Sequence, residues 1–205
     1  MQNNIIVQPM SSVTGFVASK MIIDGEEHKS LPSDISIVQS NRSFYIWHKI
    51  YQVFAKVTLT DKNVLEINCG SGAGAAWCIH THAFHSYIGI DPSQDVINLC
   101  QRLYSTVPRL SFVVADATKH LPFENESIDS ILCIETTHAF GESIAITQFA
   151  NEVVRVLRPN GYLLWCDFCY MNGSDTSIYD LIANNDLIIE EKINITKNVL
   201  HALDI

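Results

Sequence analysis

The segment LEINCGSGAG, residues 65–74, carries an apolar run to an acid, Glu66, and then through Asn68 into Gly70, Gly72 and Gly74. Glycines without a Cβ admit left-handed backbone and let a ligand lie against the main chain. A helix opening at that point adds unpaired N–H groups. Spacing alone leaves the ligand open, because Gly70, Gly72 and Ala75 also satisfy the dinucleotide fingerprint G-x-G-x-x-G/A. Asp91 in GIDPS, about twenty positions on, serves either reading, since both kinds of ligand offer ribose hydroxyls to a carboxylate. Glu66 separates the two. A pyrophosphate would meet like charge beside the loop, whereas a cationic ligand would be held by it. Asp116, in VVADATKHLPF, follows a third apolar run, where its carboxylate can accept from an adenine amino group.

These acids need strands to align them, and from Asn63 the chain alternates short β-branched runs with longer amphipathic stretches. That pattern signals β-α-β units and a parallel sheet. NVLEI (63–67), SYIGI (86–90), LSFVV (110–114), DSILCI (129–134) and YLLWCDF (162–168) read as strands buried on both faces, and DLIIEEKIN as a sixth. Val96, Ile97, Cys100 and Leu103 recur at helical spacing after Ser93. Ile146, Phe149, Ala150, Val153, Val154 and Leu157 do so before Pro159, with Asn160 and Gly161 ending the helix. From Asn41 the stretch NRSFYIWHKIYQVFAKV predicts an amphipathic helix with aromatics on one side. Residues 1–40 show no sustained periodicity and are set apart as an N-terminal arm, leaving 41–205 as one domain.

Composition excludes several functions. A formal net charge of -9 gives no footprint for a polyanion, so no nucleic acid is expected as substrate. No apolar stretch is long enough to span a bilayer, and MQNNIIVQPMSS lacks the features of a signal peptide, which predicts a cytoplasmic protein. The six cysteines lie mostly in apolar runs, as reduced core residues do. CDFC, with Cys166 and Cys169, has redox or metal spacing but no second pair to complete a zinc site, and His80, His82 and His85 read as solvated surface. No metal is expected.

Taken in order, these motifs resemble those of the class I S-adenosylmethionine-dependent methyltransferases over residues 41–201. LEINCGSGAG looks like the family's glycine motif, GIDPS its ribose-binding strand end, ADATKHLPF its adenine-binding turn, and EVVRVLRPNGYLLWCDF the segment before and along its fifth strand. The resemblance implies an open, doubly wound Rossmann-like α/β sheet and S-adenosylmethionine as cofactor, with S-adenosylhomocysteine as product. Its sulfonium and ammonium suit a loop lined by carboxylates. By the same resemblance Glu66, Gly70 and Gly72 would line the methionine part, Asp91 the ribose, and Asp116 with Ala117 the adenine, while Asn68, Pro92 and Glu135 complete the candidate cofactor-binding set. Asn68 stands where the family usually has glycine, and asparagine tolerates left-handed backbone better than most residues.

CIETTHAF after the fourth strand, and the INITKNVLHALDI tail, are similar to bacterial methyltransferases of phthiotriol-type lipids, polyketides and natural-product sugars. An Asn or Asp followed by two prolines and an aromatic, the amino-methyltransferase signature, is absent at 135–138. Methyl transfer to a hydroxyl asks for alignment and a proton acceptor. His138 supplies the imidazole and Asp167 a carboxylate to orient it or share the role, while Tyr45 and Trp47 are the candidate acceptor contacts. Three rival readings stay open: carbon methylation with Glu135 stabilising positive charge, cofactor binding without turnover, and a nicotinamide dehydrogenase. The family's antiparallel strand between its fifth and sixth is missing from the pattern, so the chain is either a shortened version or closes its sheet and pocket differently; a gap left unfilled would leave unpaired strand edges and invite a homo-oligomer.

Overall fold

The computed structural model describes residues 3–11, 58–141, 143–169 and 187–192. The aromatic helix expected from Asn41, with Tyr45 and Trp47, and the INITKNVLHALDI tail lie outside the described residues. Seven strands form one sheet: β1 (Asn3–Ser11), β2 (Asn63–Ile67), β3 (Ser86–Asp91), β4 (Leu110–Val114), β5 (Ile128–Ile134), β6 (Leu157–Cys169) and β7 (Leu187–Lys192). Their order is β4-β3-β2-β5-β6-β1-β7, and every described pairing is parallel. Helices α1 (Ala73–Thr81), α2 (Gln94–Leu103) and α3 (Ser143–Val156) connect them.

Strand residues alternate between two apolar layers, as a period of two requires. Val64, Tyr87, Leu132 and Leu164 pack with Ala75 and Cys78 of α1 and with Ile97 and Cys100 of α2. Their neighbours Leu65, Ile131, Leu163 and Trp165 pack with Ile146, Phe149 and Val153 of α3. Both faces are thereby covered, which is why the strands read as continuous apolar runs. Ser93 caps α2, its side chain accepting from the Val96 N–H at 3.4 Å, and Asp95 in the first turn and Arg102 in the last complement the helix dipole. Leu157, expected on α3, instead begins β6 opposite Ile128. Pro159 disfavours helical backbone at Arg158, so the helix stops a residue early.

The chain runs from β2 out to β4 on one side and from β5 to β6 on the other. The crevice at the carboxyl ends of β2 and β5 is the topological switch point where such sheets bind ligands. Of the two alternatives, the structure shows the sheet closed differently at the place beside the fifth strand. β1 occupies it, paired with β6 from Asn4↔Tyr162 to Ser11↔Cys169 and with β7 from Asn3↔Leu187 to Val7↔Lys192. The filler comes from the N-terminal arm and runs parallel, where the resemblance implied an antiparallel strand. IIVQPM hid it because Gln8 and Pro9 interrupt the apolar run and Pro9 lacks an N–H. Among the described residues, no helix is long and apolar enough to cross a membrane.

Candidate active site

The turn after β2 is built from left-handed residues. Asn68 has φ 51, so it takes up the conformation that glycine would supply, and Gly70 also has φ 51. A Cβ on Gly70 would meet nothing within 4 Å, which leaves open space above the loop for a ligand. The Cys69 N–H bonds the Ile90 carbonyl at 2.9 Å, and the Gly72 N–H closes on the Cys69 carbonyl at 3.0 Å just before α1. Asp91, at the end of β3, ties the next strand to this loop. Its Oδ2 accepts from the Gly70 N–H at 3.3 Å and its Oδ1 from the Ser93 N–H at 2.9 Å, with Pro92 exposed between. Glu66 is 5% exposed and accepts from the Tyr87 hydroxyl at 3.0 Å.

Asp116 is placed past β4 on the same edge, but its carboxylate organises its own turn. Oδ1 accepts from the Thr118 N–H at 2.9 Å and the Thr118 hydroxyl at 2.7 Å, and Lys119 Nζ lies 3.0 Å from Oδ2. Those bonds, Thr118's first, hold the carboxyl below its ordinary value against the effect of partial burial. Ala117 is buried beside it.

Across the switch point, Ile134 pairs with Cys166, which sets Glu135 level with Asp167. Asp167 is fully buried and gathers donors from the turn after β5. His138 Nδ1 lies 2.6 Å from Oδ1, the His138 amide donates to Oδ2 at 3.1 Å, and the Thr137 hydroxyl donates to Oδ2. Trp165 Nε1–H in turn donates to the Thr137 oxygen at 2.9 Å. A carboxylate accepting so many bonds is the acceptor toward the ring as well, which assigns the proton to Nδ1 and the basic lone pair of the neutral imidazole to Nε2. The Asp167 hydrogen bond raises the His138 pKa, burial opposes it, and Glu135 adds to the rise. The His138 side chain is 31% exposed. Burial, with Asp167's charge added, pushes the Glu135 carboxyl up to about 7. Glu135 also holds φ 49, its N–H bonded to the Cys166 carbonyl at 2.7 Å.

Thr137, Trp165 and Tyr87 were not singled out by the sequence reading. Two signals pointed to them: Thr137 adjoins His138, and Trp165 lies two residues before Asp167, hence on the same strand face. His82 packs edge-on to Phe84 at 5.6 Å and burial lowers its pKa, so it is less solvated than expected, while His85 is exposed. Cys166 is buried. Among the described residues, no three His, Cys, Asp or Glu side chains are grouped to hold a metal.

A cationic adenosyl cofactor fits what is present. Open space stands over Gly70, and Glu66, Asp91 and Glu135 are the acids at the switch point. Residues 65–165, about half of the chain, match the methyltransferase domain family, and the described fold is that of the S-adenosylmethionine-dependent methyltransferases. It is 46% identical over 111 residues to phthiotriol/phenolphthiotriol dimycocerosates methyltransferase 1 of Mycobacterium ulcerans, covering 54% of this chain and 39% of that protein. It is 38% identical over 113 residues to the fatty-acid O-methyltransferase of Mycolicibacterium smegmatis, covering 55% of this chain and 39% of that one. The chain thus spans less than half the length of these curated relatives. A methyltransferase structure from Methanosarcina mazei shares the fold, with TM-score 0.51, 24% identity and 56% of each chain covered.

Proposed function

We propose that this protein transfers the methyl group of S-adenosylmethionine to a hydroxyl of a small lipid-type acceptor, with His138 as general base and Asp167 as its orienting carboxylate. The observation that carries this reading is the 2.6 Å contact of His138 with buried Asp167 at the carboxyl edge of the sheet. The lipid class is supported by relatives named for dimycocerosate and fatty-acid methylation. Polyketide and sugar hydroxyls are the other acceptors to be assayed.

Bound S-adenosylmethionine supplies a methyl group already activated on a sulfonium. Glu66, Asn68, Gly70 and Gly72 would hold its methionine part, Asp91 and Pro92 the ribose, Asp116 and Ala117 the adenine, and Glu135 would complete the set of acids around it. His138 Nε2 takes the acceptor's proton as the oxygen attacks. Asp167 keeps the ring in the correct tautomer and stabilises the imidazolium that forms. Thr137 and Trp165 fix Asp167 through the chain of bonds described above. Tyr45 and Trp47 are assigned to the acceptor.

The test is to incubate the protein with methyl-labelled S-adenosylmethionine and hydroxylated fatty acids or long-chain diols and to identify products by mass spectrometry. Methyl ethers are the expected result, and methyl esters formed on the carboxylate would overturn the hydroxyl assignment. Label on carbon would overturn the oxygen assignment, and binding of NADH without any response to S-adenosylhomocysteine would overturn the cofactor placement.

A further inference from the structure

Glu66 is buried in an apolar part of the sheet, just before Asn68 turns the chain into the glycine loop. Its register neighbours are Gly89 on β3 and Leu132 on β5, and neither carries a side-chain donor. The space that Gly89 leaves is taken by Phe112 and Cys69, which a Cβ on Gly89 would meet at 2.8 and 2.9 Å. Burial penalises a carboxylate unless donors reach it, so the surroundings must bring one from further away. Tyr87 does so. Its hydroxyl donates to Glu66 Oε2 at 3.0 Å. Tyr87 is in register with Val64, two residues before Glu66, so the two side chains share a sheet face and the bond runs diagonally between the strands. The Tyr87 ring is fully buried and stands edge-on to Phe84 at 5.3 Å, which fixes where the hydroxyl points.

We propose that Tyr87 is a positioning residue for the cofactor: its hydroxyl holds Glu66 as an oriented anion at the entry to the glycine loop, where the ammonium of the methionine part is attracted to it. The inference rests on the placement of the methionine part against Glu66. A donated O–H stabilises the carboxylate anion, the form that attracts a cation, and a side chain fixed before binding loses less freedom when the ligand arrives. Tyr87 reaches the cofactor only through Glu66. The adenosine end is held by other residues, so the two ends of the ligand should feel the hydroxyl differently. A residue that served the core alone would affect both ends together.

The experiment measures, by calorimetry on the full chain, affinity for S-adenosylhomocysteine and for methylthioadenosine, which keeps the adenosine and thioether but lacks the amino-acid end. Wild type, Tyr87→Phe, Glu66→Gln and the double variant are compared, with melting temperatures beside them. Tyr87→Phe keeps the ring and its packing on Phe84. It should bind S-adenosylhomocysteine about tenfold more weakly, the loss of one hydrogen bond to a charged group, and methylthioadenosine as well as the wild type does. The double variant should be little weaker than Glu66→Gln alone, because both changes break one chain of contacts. Glu66→Asp tests the same contact from the other side, since it keeps the charge but draws it back from the Tyr87 hydroxyl, and it should show the same selective loss. Equal losses for both ligands in Tyr87→Phe, an unchanged S-adenosylhomocysteine affinity, losses that multiply in the double variant, or full affinity in Glu66→Asp would overturn the proposal. Failure in Tyr87→Phe with a selective loss in Glu66→Gln would overturn the role of Tyr87 alone. A wild type that binds neither ligand would overturn the cofactor placement and the proposal together.

Discussion

Asp91 holds two backbone N–H groups, one on the glycine loop and one at the start of the turn into α2, so a single carboxylate ties the glycine loop to the end of β3. Asp91→Ala should weaken S-adenosylhomocysteine binding by about 1.5–3 kcal/mol, the loss of a charge-assisted hydrogen bond, without unfolding the chain. Calorimetry giving an unchanged affinity would remove Asp91 from the site. Glu135 makes a prediction in stability. Its carboxyl has a folded pKa of about 7 against an ordinary 4.5. Between those values the folded chain binds more protons than the unfolded one, so this contribution to stability is present below the lower value and is lost as pH rises through the upper. Glu135→Gln should therefore gain thermal stability over the wild type at pH 8 and little or none at pH 4. Equal gains at both would show that burial does not act on this carboxyl.

At the scale of elements, the five central strands and the helices α2 and α3 were legible because burial on both sheet faces leaves apolar runs and one-sided helices leave a helical period. The Asp91 and Glu66 strand ends were legible for the same reason: an acid closing an apolar run is conspicuous. β1 was not. Its place in the sheet is decided by pairing with β6 and β7, distant in sequence, and Pro9 argued against a strand. Nor did the sequence reveal that Asp116 spends its oxygens on Thr118 and Lys119, a matter of local turn geometry. The pairing makes a prediction. Deletion of residues 1–11 removes the only described sheet partner of β7 and uncovers the edge of β6, so the shortened chain should melt lower and self-associate. Sedimentation showing a stable monomer with unchanged melting would contradict the role assigned to β1.

At the scale of the whole molecule, parallel strands bring residues from β2, β3, β5 and β6 to one edge, with Glu66 and Asp91 on one side of the switch point and an imidazole–carboxylate pair on the other. The central claim is that this pair removes the acceptor's proton. It is tested most directly by the pH dependence of turnover in the wild type and in His138→Ala, with S-adenosylhomocysteine affinity measured beside it. The raised pKa of His138 means the ring must lose its proton above 6.5 before it can act, so wild-type turnover should climb through an acid limb centred above that value. His138→Ala should keep cofactor affinity, lose the acid limb, and turn over roughly a hundred to ten thousand times more slowly. Full activity in His138→Ala, or the same acid limb persisting in it, would contradict the account.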